Sequence, residues 1–175
     1  WTYDTAAKSG GTWKGKLASV SSPGGYLETY DYDSLGRPGT VWRTIPGVTN
    51  TTLEPRFFVT QTYDSAGRPL KTIYPSGFQT TNVYNDFGYL KEVRRADSNR
   101  NDVYWMADTY SVTGRVDGEY YGNGLINDRV YSEATGRLRT AAIGKGIETT
   151  APFSIQYLQY NYDAVGNVTT RSDGP

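Results

Sequence analysis

The chain has 175 residues, enough for one domain, and its 18 Lys and Arg are balanced by 18 Asp and Glu, so no net field draws nucleic acid or an anionic membrane. It contains no cysteine and no histidine, which removes disulfides, thiolate metal sites, thiol nucleophiles and the side chain most used as a general base near neutral pH. With 16 Tyr and 20 Gly, and no run close to the roughly 18 apolar residues of a membrane helix, the composition favours pleated strands interrupted by tight turns.

In chain order, Tyr3-Asp4-Thr5 opens a phrase whose turn is expanded through Ser9, Gly10 and Gly11 before Lys16 and Leu17 resume the pattern. Pro23-Gly24-Gly25 then marks a turn. Tyr32 to Pro38 reads YDSLGRP, and after a second turn signal at Pro46-Gly47 an ascending strand is predicted over Phe57 to Tyr63. That strand leads into Tyr63 to Pro69, YDSAGRP, which matches the first phrase at six of its seven positions. The return strand Leu70 to Tyr74 ends at Pro75-Ser76-Gly77. Weaker copies follow at Tyr84 to Leu90 (YNDFGYL), Tyr110 to Val116 (YSVTGRV), Tyr131 to Leu138 (YSEATGRL, one residue longer) and Tyr162 to Val168 (YDAVGNV). Between them come the return strands Leu90 to Val93 and Leu138 to Ala141, the turn Tyr121 to Gly124, and the ascending strand Ile155 to Tyr162.

Each phrase has one physical reading. Tyr32, Tyr63, Tyr84, Tyr110, Tyr131 and Tyr162 end strands. The carboxylates of Asp33, Asp64 and Asp163 can accept backbone N–H bonds across the turn. Gly36, Gly67, Gly88, Gly114, Gly136 and Gly166 take the left-handed conformation that closes a type I turn with a bulge. Arg37, Arg68, Arg115 and Arg137 follow the glycine, placed to stack on neighbouring Tyr rings or to pair with repeat carboxylates. The glycines are separated by 31, 21, 26, 22 and 30 residues, so the hairpins are common and the opposite loops (45–56, 96–102, 143–152) vary in length. No capped helical run is present. The expected fold is all-β: about a dozen antiparallel strands of tandem hairpins in one twisted, curved sheet, a single domain over 1–175, with at most a helical turn or two.

The phrase YDxxGR[PL], repeated with an adjoining Tyr-Pro-Ser-Gly type of turn, resembles the RHS or YD-repeat family of bacterial polymorphic toxins and Tc toxin complexes, with related repeats in teneurins. The resemblance covers nearly the whole chain. It implies a β-ribbon forming the wall of a hollow shell around a C-terminal toxin cargo, with flanking repeats and the cargo as partners. It also implies a secreted or cell-surface setting within a larger bacterial protein, of which this chain reads as an internal piece. The family's self-cleaving segment with its Asp-Pro-x-Gly motif does not occur here, so no catalytic residue carries over, and no enzyme activity and no cofactor are expected. Asn85 stands where the phrase has Asp, and Tyr89 and Asn167 stand where it has Arg.

Sharper readings compete with this one. The tyrosines could form a platform on a displayed module that recognises a glycan or cell-surface protein, although Tyr at one strand position more simply makes a cross-strand ladder. Asp31 with Asp33, or Asp117 with Glu119, has the composition of a glycosidase pair but no pocket to raise one carboxyl. Asp97, Asn99, Asn101 and Asp102 offer oxygen ligands for calcium without a complete loop signature. Trp1, Trp13, Trp42 and Trp105 are scattered and read as strand-face packing. Asn50-Thr51-Thr52 and Asn167-Val168-Thr169 fit a glycosylation sequon that means little without a secretory context. Exposed strand edges favour self-association.

Overall fold

A computed structural model of the chain describes residues 1–4, 14–48, 57–96, 102–145 and 155–174. Ser9, Gly10, Gly11, Trp13, the Asn50 sequon, Asp97, Asn99 and Asn101 lie outside the described residues. Fourteen strands run in chain order: β1 (Thr2–Tyr3), β2 (Leu17–Ser21), β3 (Leu27–Tyr32), β4 (Pro38–Thr44), β5 (Phe57–Tyr63), β6 (Pro69–Ile73), β7 (Gln79–Tyr84), β8 (Leu90–Arg95), β9 (Val103–Tyr110), β10 (Val116–Tyr121), β11 (Leu125–Tyr131), β12 (Leu138–Lys145), β13 (Gln156–Tyr162) and β14 (Val168–Asp173). Their hydrogen-bonded order in the sheet is their order in the chain. The all-β antiparallel reading holds, and no helix occurs among the described residues. The strand count exceeds a dozen because Tyr3 does open a hairpin, pairing with Leu17 on β2.

Every phrase tyrosine is the last residue of an odd-numbered strand, and the following hairpin closes by one rule. Asp33 N–H donates to the Arg37 carbonyl at 2.9 Å and Gly36 N–H donates to the Asp33 carbonyl at 2.9 Å. The same two bonds recur at Asp64, Asn85, Ser111 and Asp163. Gly67, at φ +82°, shows why the position is glycine: a side chain there would sit in the left-handed region. The longer phrase at Tyr131 keeps the scheme with one residue added, Ser132 N–H reaching the Arg137 carbonyl and Gly136 N–H the Ser132 carbonyl. Two of the opposite hairpin ends use the same closure: Ser22 and Tyr74 N–H donate to the Tyr26 and Phe78 carbonyls, and Gly25 and Gly77 donate back to Ser22 and Tyr74. Register shifts beside Tyr32, Tyr63, Tyr131 and Tyr162 mark the bulges this closure produces.

Backbone packing divides the chain into two compact units, Trp1–Thr81 with Arg95–Asn99, and Asn82–Arg94 with Arg100–Pro175. In the first, Ala18 is the buried apolar side chain; in the second, Ala107, Ala142 and Leu158 are. Among the described residues no large side chain is fully buried. Most strand positions are half-buried, and the described residues form one sheet and no helix. Pairing of the backbone and contacts along the sheet therefore carry much of the load that a core carries elsewhere.

Candidate functional site

The chemistry-bearing side chains converge on the junction between one hairpin and the next. At the turn itself, Asp33 Oδ1 accepts N–H bonds from Leu35 and Arg37, both at 2.9 Å, and Oδ2 accepts from Arg37 Nε at 2.6 Å. Asp64 repeats this with Ala66, Arg68 and Arg68 Nε. Burial alone would raise the Asp33 carboxyl, yet the donors from Arg37 and Leu35 outweigh it and hold the group below its ordinary range. Asp64 is also lowered, first by the Arg68 backbone N–H. Asp163 is held down chiefly by the Asn167 side chain, so asparagine in the arginine place still serves the turn. Asn85 keeps the acceptor role through Phe87 and Tyr89 N–H, and Ser111 does so with Arg115.

From this turn the residue after glycine reaches into the next repeat. The Arg37 guanidinium lies 4.3 Å from the centre of the Tyr63 ring, Arg115 lies 3.3 Å from that of Tyr131, and Arg137 lies 5.6 Å from that of Tyr162. Lys16 takes the same place over Tyr32 at 5.8 Å. Where Tyr89 replaces the arginine, its ring packs on that of Tyr110 with centroids 5.8 Å apart, so the departure exchanges a cation–π contact for an aromatic pair.

The tyrosine beneath closes the junction with its hydroxyl. Tyr32 donates to the Leu17 carbonyl at 2.7 Å, Tyr63 to Pro38 at 2.8 Å, Tyr110 to Leu90 at 2.6 Å and Tyr162 to Leu138 at 2.8 Å. Each acceptor stands two residues after a left-handed glycine, Gly15, Gly36, Gly88 and Gly136 in turn. Burial pushes the Tyr32 and Tyr110 phenols up, which keeps them protonated as donors. The glycine completes the clasp by leaving room: a Cβ at Gly166 would lie 2.7 Å from Arg137 Nη2, and one at Gly114 would lie 2.6 Å from the Tyr89 ring. Arg137 Nη1 also donates to the Asp163 carbonyl at 3.0 Å. Tyr, Gly and the residue after Gly thus form one device that pins consecutive hairpins together.

A second cluster was not legible from the phrases. In the second unit, Glu119 accepts Trp105 Nε1 at 2.6 Å, the Tyr121 hydroxyl at 3.1 Å and Asn127 Nδ2 at 3.2 Å, and pairs with Arg129 Nη1 at 2.5 Å. Burial to 8% exposure would by itself raise this carboxyl, but the Trp105 and Arg129 bonds win and hold it below its ordinary range. Glu92, also buried, is lowered chiefly by its bond from Arg94. Trp105, read from the sequence as strand-face packing, serves here as a hydrogen-bond donor. The only hint in the sequence was polar Asn127 and Arg129 alternating within a strand where apolar residues were due.

The carboxylates of the two sequence pairs are each engaged by other groups. Asp33 accepts the N–H bonds of its turn, Asp31 accepts the Tyr32 N–H, Asp117 pairs with Arg115, and Glu119 accepts from Trp105 and pairs with Arg129. An open cleft between turns 111–114 and 132–136 is lined by Arg115, Asp117, Asp128, Arg129, Tyr131 and Glu133, with charges of both signs. Among the described residues no cluster of three acidic or metal-ligating side chains occurs, and no helix is long and apolar enough to cross a membrane.

No protein-family model and no curated protein sequence matches the chain. Solved structures do. The chain is similar to the Tc holotoxin pore of Photorhabdus luminescens, with TM-score 0.69 and 21% identity over 85% of this chain and 7% of that one. A TcdB2-TccC3-TEV crystal structure aligns at TM-score 0.68 and 20% identity, covering 84% of this chain and 8% of that one. TcdB2-TccC3 without its hypervariable C-terminal region aligns at 0.60 and 17%, covering 93% and 11%. The chain spans only about a tenth or less of the length of these neighbours. With the tyrosine-glycine phrases already placed at the hairpin junctions, the chain shares the all-β fold of these Tc toxin components.

Proposed function

We propose that this chain is a wall segment of a hollow β-shell that encloses a C-terminal toxin cargo, within a larger bacterial protein that is secreted or held at the cell surface. Its role is structural, it performs no catalysis, and residues 1–175 act as one continuous run of repeats. The observation that supports this most is a sheet that keeps chain order over fourteen strands and in which, among the described residues, no large side chain is fully buried, in a fold shared with Tc toxin components. A domain that folds to bury its own core covers its sheet; a wall keeps both faces available, one for solvent and one for contents. A wall one strand layer thick must then gain stiffness along the sheet, and the junction clasps supply it. The phrase residues from Tyr32 to Gly166 are structural in this account, each serving its own turn or the next junction.

The test is the intact mass and protease resistance of the complete parent reading frame after expression and purification. A cleaved C-terminal fragment that copurifies with the repeats, and resists protease until the repeats are denatured, is the expected result. A single uncleaved chain whose C-terminal region is digested as fast as in isolation would overturn the reading.

A further inference from the structure

We propose that Asn123 is a site of spontaneous chemical modification, at which the Gly124 backbone nitrogen displaces the side-chain amide and the turn between β10 and β11 is remade with aspartate or isoaspartate. Asn123-Gly124 is the only asparagine–glycine pair in the sequence, and every other asparagine precedes a residue with a side chain. The pair matters because a glycine nitrogen is shielded by no side chain of its own and sits on the most pliable backbone. Both residues are exposed, and a Cβ at Gly124 would meet nothing within 4 Å, so the approach is open. The local bonding prepares the reaction. Asn123 Oδ1 accepts the Leu125 N–H at 3.2 Å. To reach that donor the side chain lies along the Gly124 peptide, and the donor draws electron density from the amide carbonyl, which favours attack at Cγ. Against this, the Gly124 N–H donates to the Tyr121 carbonyl at 2.9 Å, so the turn must open before the nitrogen can lose its proton. An exposed turn held by few bonds opens at little cost.

In the first step a bond forms between Gly124 N and Asn123 Cγ, the Cγ–Nδ2 bond breaks, and the Gly124 proton leaves with Nδ2 as ammonia. Water then opens the cyclic imide at either of its carbonyls. Opening at Cγ restores the ordinary main chain with aspartate in place of Asn123. Opening at the main-chain carbonyl leaves isoaspartate, whose main chain runs through Cβ and Cγ and is one carbon longer. The two products differ in what they do to the hairpin. Beyond this turn the strands pair as Tyr120 with Ile126, Glu119 with Asn127 and Gly118 with Asp128. Glu119 accepts from Asn127 Nδ2 and pairs with Arg129 across this same register. An extra main-chain carbon at the turn disturbs that register and loosens the buried Glu119 cluster, whereas aspartate leaves it in place. Asn123 is thus a slow chemical timer for the hairpin that carries the cluster, whatever larger structure the chain belongs to.

The test incubates the folded full chain in mildly alkaline and mildly acidic buffer and follows each asparagine by peptide mapping with mass spectrometry, which reads the exchange of NH for O. Conversion at Asn123 is expected, faster in the alkaline buffer because the attacking nitrogen must shed a proton, with both products present and Asn127, Asn161 and Asn167 intact over the same period. Gly124→Ala, whose Cβ has open space, should slow the conversion about tenfold by raising its barrier. The purified isoaspartate form should unfold at lower urea than Asn123→Asp, which keeps the ordinary main chain. No conversion at Asn123, equal conversion at the other asparagines, an unchanged rate in Gly124→Ala, or an isoaspartate form as stable as Asn123→Asp would each overturn the proposal.

Discussion

Gly114 and Gly124 offer a controlled measurement of the clasp, because both have nearly the same backbone and only one has a neighbour. Their φ values are +79° and +84°, so Ala at either site costs the left-handed penalty of about 1 kcal/mol. At Gly124 nothing lies within 4 Å of the added Cβ, and the penalty is the whole effect. At Gly114 the Cβ would sit 2.6 Å from the Tyr89 ring, which must swing off and give up its contact with Tyr110. Losing an aromatic pair adds about 1 kcal/mol, for a total near 2 kcal/mol. Urea denaturation of the two variants should therefore separate them by about 1 kcal/mol. In a Tyr89→Ala background, which has already lost the pair, Gly114→Ala should cost only about 1 kcal/mol. Equal costs in the wild-type background, or no change of the Gly114→Ala cost on removing Tyr89, would refute the idea that the glycine makes room for the preceding repeat.

Other consequences follow from the same geometry. Tyr110→Phe removes the hydroxyl bond to Leu90 and should cost about 1 kcal/mol in denaturant, with the spectrum of the folded state unchanged. Glu119→Gln should cost about 2 kcal/mol at pH 7 by weakening bonds to a charged acceptor. Because the Glu119 carboxyl is lowered in the folded chain, its contribution is present above the ordinary glutamate value of 4.5 and is lost as pH falls through the lower folded value. The gap between wild type and variant in an acid titration should accordingly close below that value, and a gap that widens there would contradict the sign. Exposed edges at β1 and β14 should make the chain associate as concentration rises, visible by light scattering, and a strictly monomeric species at high concentration would count against them.

Much of this was legible in the residues. The tyrosine and glycine of each phrase marked where a strand ends and which residue turns left-handed, because local chemistry decides both. The degenerate phrases were readable for the same reason: Asn85 and Ser111 can accept the turn's N–H bonds as Asp does. What the sequence could not tell was direction. Arg37 shares its charge between its own Asp33 and the ring of Tyr63, 26 residues on, and only the sheet order brings that ring beneath it. The Glu119 cluster was hidden more fully, since Trp105, Glu119 and Arg129 sit on three strands and converge only through register. Nothing local announces such a meeting.

The central claim is that these strands are wall. The most direct measurement is an electron cryomicroscopy map of the intact parent polypeptide. The account predicts the hairpins of residues 1–175 within a closed, one-layer wall, with both edges paired to further repeats and density for the C-terminal region inside. Hairpins displayed on an open surface, with the C-terminal region folded outside them, would contradict it.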